Sequence, residues 1–160
     1  MGPAFYVLAR CAWPGARRLL GLLSLTALLA NNPAQAQPPL PAITLQLGEH
    51  AIQAELADTP ATLQAGLMDR PSMPANAGML FMLGPPGVQC FWMKNTLIPL
   101  SIAFIDEQHR IVSIQDMQPH DLTPHCSPSP VAIALEMNQG WFERTGIQTG
   151  DPVRGIPAPR

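Results

Sequence analysis

The sequence predicts a mainly β fold: a compact antiparallel sandwich or barrel carrying about two short helices. Three observations predict it. From residue 43 onward, apolar residues come in short runs, several of them alternating with polar ones, as half-buried strands require. Clusters of Gly, Pro, Asn and Asp punctuate these runs at roughly even spacing. Only the stretches near 60–68 and 141–145 combine a capping residue with good helix formers.

The first 36 residues read as an export signal rather than as part of the fold. Arg10, Arg17 and Arg18 precede an apolar run at 19–30 (LLGLLSLTALLA), and Ala34-Gln35-Ala36 forms a small-residue cleavage site. The run is shorter than the roughly 20 apolar residues that a spanning helix takes, so no membrane span is expected after cleavage. Residues 37–41 (QPPLP) form a Pro-rich leader. A single β-rich domain is then expected over 42–156, with a frayed tail at 157–160.

Within that domain, Ile43, Leu45 and Leu47 alternate with polar residues, and Ile52, Ala54 and Leu56 resume the pattern after Gly48-Glu49-His50. This predicts a hairpin. Asp58 or Thr59 can cap a helix at 60–68, with Pro60 in its first turn. Residues 78–83 form a continuous apolar strand, which Gly84-Pro85-Pro86-Gly87 ends as a turn or loop. Strands follow at 88–93, 100–105 and 110–117, the last two joined by a hairpin loop at 106–109. A Pro-rich excursion occupies 118–130 (QPHDLTPHCSPSP). Another strand runs over 131–137. Asn138 can cap the helix through Trp141 to Thr145, stopped by Gly146, and a short strand covers 152–155.

Beyond the export signal the chain carries six basic against eleven acidic residues, a net charge of −5. That balance argues against nucleic acid or an anionic membrane as partner, since both need a basic face. Two cysteines remain, Cys90 and Cys126. An even pair in an oxidising compartment suggests a disulfide; the alternative is two unpaired thiols, one of them buried in a strand.

Gly66-Leu67-Met68-Asp69-Arg70, Gly78-Met79-Leu80-Phe81 and the block from Phe91 to Leu100 (FWMKNTLIPL) resemble the signature of domain-of-unknown-function family 192 (DUF192). Phe104-Ile105-Asp106, Leu135-Glu136-Met137-Asn138 with Gly140-Trp141, and Gly146-Ile147 with Gly150-Asp151 fit the same order. The resemblance implies a compact, mostly β domain, often exported in bacteria, with no established activity. Two positions depart from the family pattern. Ser101 and Ala77 stand where acidic residues are usual, which puts in doubt any mechanism that needs either carboxylate.

The polar interruption of the apolar block 91–100 marks the candidate site. Lys94, Asn95 and Thr96 offer donors and acceptors at a strand end, and Glu136 and Asn138 share a face of their strand. One reading is a polar network holding a corner of the sheet, in which Lys94 pairs with Glu136 while Asn95 and Asn138 bond the chain reversal. The other is a shallow pocket in which Lys94 and Asn95 grip an anionic or carbonyl group beside Trp92 or Trp141. His120, Asp121, His125 and Cys126 carry the chain's metal-ligand chemistry, but His-x4-His-Cys is not a zinc spacing. Met68, Met79, Met82, Met93 and Met137 lie in apolar segments and read as core residues rather than copper ligands. No serine sits in a nucleophile elbow, and Cys90 has no base beside it. Asp106, Asp116, Asp121 and Glu136 would have to converge to act as paired carboxylates.

The expectation is therefore an exported, monomeric binding or accessory module, without cofactor, for a small ligand or an envelope partner. The alternative is an enzyme or metal-binding protein using residues 120–126 and nearby carboxylates.

Overall fold

The computed structural model describes residues 40–158. The export signal at 1–36, most of the Pro-rich leader and the last two residues of the tail lie outside the described residues. Nine strands and two short helices are present among them. β1 (Ala42–Leu47) and β2 (His50–Ala57) form the predicted hairpin, with Leu47 opposite His50 across the turn. α1 (Pro60–Ala65) is capped by Thr59, whose side chain accepts from Thr62 N while the Thr62 hydroxyl accepts from Thr59 N. Thr59, not Asp58, is thus the cap. The helix ends at Gly66 with φ 49°, short of the predicted residue 68, because that left-handed residue turns the chain away.

β3 (Ala77–Gly87) runs parallel to β2, the one parallel pairing in the sheet. The chain segment holding α1 acts as the crossover that parallel strands require. β3 also continues past the point where the sequence ends it. Gly84 to Gly87 extend the strand as an irregularity: pairing with β8 (Val131–Asn138) stops at Met82 and resumes only at Gly87 opposite Val131. Pro85 and Pro86 have no N–H to give to the ladder, so the strand passes them unpaired. β5 (Leu100–Ile105) pairs with β6 (Ile111–Met117) and with β8, and β9 (Val153–Arg154) closes the far edge against β1. The order β6-β5-β8-β3-β2-β1-β9 forms one curled sheet, a half-barrel.

The predicted strand at 88–93 is reduced to β4 (Cys90–Phe91), which leaves the main sheet and pairs with β7 (His125–Cys126) from the Pro-rich excursion. A disulfide joins the directly opposed Cys90 and Cys126. α2 (Trp141–Thr145) follows β8, but its N-cap is Gly140 at φ 72°, with no side-chain cap bond. Asn138 is instead the last residue of β8, and its amide donates to the carbonyls of Met73 and Pro74.

Both faces of the sheet are buried, which explains why β5 and β8 read as apolar runs rather than alternations. On one face Leu45, Leu47, Ile52, Leu80, Ala103, Leu135 and Met137 pack beneath Trp141 and Phe142 of α2. On the other, Met79, Phe81, Ile102, Phe104 and Ala134 pack with Leu67, Met93 and Ile98. Gly78 lets β3 and β8 approach. A Cβ there would lie 2.5 Å from both the Glu136 carbonyl oxygen and the Met137 sulfur. Gly78→Ala is therefore expected to cost about 1–3 kcal/mol as overpacking. A chemical denaturation midpoint lowered at unchanged slope would report it; an unchanged midpoint would show that the strands part freely.

Candidate functional site

The polar block at 94–96 is a tight turn. Thr96 N donates to Met93 O (3.1 Å), and Asn95 sits at the third position with φ 56°, a conformation asparagine tolerates better than most residues. The turn is tied on both sides. Asp69 N donates to Asn95 O (2.8 Å), His120 N to Thr96 O (3.2 Å), and Met93 N to Asp121 O (2.8 Å). Met93 and Thr96 are buried and Lys94 is exposed at the tip, with Nζ 5.5 Å from the centroid of the Trp92 ring. Trp92 is itself 52 % exposed.

Beside this turn lies a cleft of about 450 Å³. Trp92, Lys94, Asn95, Thr96 and Glu136 all line it, so the structure brings together five of the seven residues singled out from the sequence. Its other walls come from α1 and the turn after it (Leu63, Gln64, Gly66, Leu67), from Phe81 of β3, and from Cys90 and Phe91 of β4. Phe91 is held in place by edge-on contacts with Phe81 (5.1 Å between centroids) and Phe104 (5.8 Å). Position along the sequence gives no sign that α1 forms a wall; the Gly66–Arg70 block that follows it is tied to the turn through Asp69 N and Asn95 O.

Glu136 is 5 % exposed. Its cross-strand neighbours are Met79 on β3 and Ile102 on β5, members of the same apolar layer. Burial in that layer pushes its carboxyl up to about 8. The expected pairing with Lys94 is not formed: among the described residues the ion pair is Arg70 with Glu55, and Lys94 lies over Trp92 instead. Burial raises the Glu55 carboxyl, but the Arg70 guanidinium and the Leu40 N–H outweigh it and hold it below the usual range.

Asn138 and Trp141 do not line the cleft. Trp141 lies in the opposite core, where Nε1 donates to Asn76 Oδ1 (3.1 Å) and the ring meets His50 edge-on. The candidate metal ligands are also dispersed. Cys126 is consumed by the disulfide, and His120 and His125 join no group of three metal-ligating side chains among the described residues. The carboxylates do not converge. Asp106 accepts from Gln108 N and Arg110 N in its hairpin, Asp121 accepts from Thr123 N, and Asp116 accepts from the Ser101 hydroxyl. Ser101 lies opposite Asp116 on β6 and also accepts from Gly140 N (2.8 Å). Because Ser101 alternates with Ile102, it points away from the Glu136 face, so the side chain at that position does not bear on the cleft. A second cleft, of about 390 Å³, lies between Leu56, Met82, Ile133, Glu107 and His109 and the described end of the tail at Pro157 and Ala158. Among the described residues no helix is long and apolar enough to cross a membrane.

A family model described as an uncharacterized ACR family, DUF192, matches residues 43–155. Several solved chains are similar, among them these two. One is described as a candidate transcription regulator from Sinorhizobium meliloti 1021, with 33 % identity and a TM-score of 0.71, covering 75 % of this chain and 98 % of the other. The second, from Novosphingobium aromaticivorans DSM 12444, is described as a protein of unknown function. It shares 34 % identity at a TM-score of 0.67, over 75 % of this chain and 94 % of the other. The comparison with curated proteins finds no match.

Proposed function

The chain belongs to the DUF192 family, and from that premise we propose that it is an exported, periplasmic binding or accessory module that holds a small ligand in the cleft beside Lys94. One observation carries the reading. A single concave site gathers a cation, an amide, a hydroxyl and a buried carboxyl within a lining that is otherwise mainly apolar and aromatic, the composition of small-molecule sites. Lys94 and Asn95 grip an anionic or carbonyl group at the mouth, with Trp92 as the apolar wall. The Cys90–Cys126 disulfide supports an oxidising compartment. The regulator description of the Sinorhizobium relative is not extended to this chain, whose acidic balance offers a poor face to nucleic acid.

Native mass spectrometry of protein purified from the periplasm tests both parts. Expected are a chain that begins at Gln37 and a retained small molecule. Lys94→Ala should release that molecule, with binding weakened about tenfold or more, as loss of a charged hydrogen bond implies. Melting should barely move, because the side chain is exposed. A variant that loses stability but keeps its ligand would make Lys94 a structural residue and sink the reading.

A further inference from the structure

We propose that Glu136 meets the ligand as an uncharged hydrogen-bond donor, so that the cleft takes a small molecule whose buried end is a carbonyl-type acceptor, an amide or lactam, rather than a cation. This rests on the cleft being a ligand site and names the chemistry at its floor.

The geometry leaves the carboxyl open to the cleft and without a partner from the protein's side chains. Glu136 is buried, lines the cleft, and forms no side-chain hydrogen bond or ion pair among the described residues. Its oxygens are not sealed in the core but open onto the cleft, so a molecule that enters the cleft meets the carboxyl directly. The groups that face it leave little choice of charge. β3 and β5 present Met79 and Ile102 beside it, and α1 and the turn after it present Leu63, Gln64 and Leu67. Lys94 is the one other charged side chain in the lining, and it lies over Trp92 rather than over the carboxylate. Nothing from the protein thus neutralises an ionised floor.

A ligand cation could do so, but burying both charges costs several kcal/mol each, which their attraction repays only with ideal geometry. A neutral carboxyl avoids that cost. Burial already favours the protonated form near neutral pH. Protonated, the group offers one O–H donor and one carbonyl acceptor side by side. The edge of an amide, with its C=O and N–H, matches both. Protonated carboxyls in apolar sites are known to serve as donors to ligand oxygens in this way.

Benzamide and benzylammonium, alike in shape and opposite in demand, separate the cases. Each is titrated into the purified protein while the Trp92 indole resonance is followed by NMR, from pH 6 to pH 9. Benzamide should bind with nearly constant affinity up to pH 7 and about tenfold more weakly at pH 9, as the floor ionises. Glu136→Gln, which keeps both a donor and an acceptor, should retain benzamide binding and lose the pH dependence. Benzylammonium should bind more weakly throughout. Tighter binding of benzylammonium, strengthening with pH and abolished in Glu136→Gln, would overturn the inference while leaving the cleft as a site. So would benzamide binding with no pH dependence. If neither probe nor benzoate moves the Trp92 resonance at any pH, the cleft reading itself fails.

Discussion

Replacing Glu136 by Gln is expected to make the protein several kcal/mol more stable at pH 8 and to leave it nearly unchanged at pH 4.5. The sign follows from where the proton resides. The folded carboxyl titrates at about 8, against an ordinary value of 4.5. Below 4.5 the group is protonated in both the folded and the unfolded chain and contributes no pH dependence. Between 4.5 and 8 the unfolded chain releases a proton that the folded chain keeps, so rising pH favours unfolding by about 1.4 kcal/mol for each unit. The loss is complete above 8 and sums to about 3–5 kcal/mol, a large fraction of the stability of a small domain. Glutamine is close in shape and carries no such cost. Urea denaturation of both proteins at intervals from pH 4.5 to 9 provides the check, and the difference between the two curves cancels every other titrating group. Glu55 works in the opposite direction at the acid end: its depressed titration supports the fold above the ordinary carboxylate value and ceases to do so as pH falls. Parallel curves would mean that Glu136 ionises freely and that its surroundings are wetter than the packing of Met79 and Ile102 implies.

Glu136 also marks what a linear sequence can and cannot encode about a site. Its residue type and its strand are legible, because a charged residue within Val131–Asn138 interrupts an apolar run; its nearness to the 94–96 turn is in the sequence only a condition of one reading. Its isolation is not legible. Whether a strand residue meets a counter-charge depends on which strands flank it, and the order β5-β8-β3 places Met79 and Ile102 there. Pattern along the chain cannot supply that order. The same reason explains Trp141 and Asn138, which are close to Glu136 in sequence yet serve the far core and the Met73–Pro74 loop. The hairpins β1–β2 and β5–β6 are legible because their pairing is local. The parallel β2–β3 pairing and the passage of β3 across Pro85 and Pro86 are not legible, since turn residues mark a break in hydrogen bonding without saying whether the chain reverses.

Removing the Cys90–Cys126 bridge, by reduction or by replacing both cysteines with Ser, is expected to cost about 3–4 kcal/mol. The bond closes a loop of 36 residues, and the entropy denied to the unfolded chain sets that magnitude. For a domain of this size the melting temperature should fall by on the order of 10 °C. The location makes a full loss the expected result. β4 and β7 form a two-stranded ribbon outside the main sheet, and such ribbons are marginal without further support. Ser127 N donates to Gln89 O, the Ser127 hydroxyl accepts from Gln89 N and the Gln115 amide donates to Cys126 O, but these bonds are few. The ribbon also carries Cys90 and Phe91 and leads directly into Trp92, and the three form a wall of the cleft. Weakened binding of a cleft probe should therefore accompany the loss of stability, and it should be larger than for a cavity-creating change of equal cost in the opposite core, such as truncation of Phe142. Equal losses would indicate that the bridge acts only on the unfolded chain. A reduced protein that melts within a degree or two of the oxidised one would mean that Phe91, locked between Phe81 and Phe104, anchors the ribbon by packing alone.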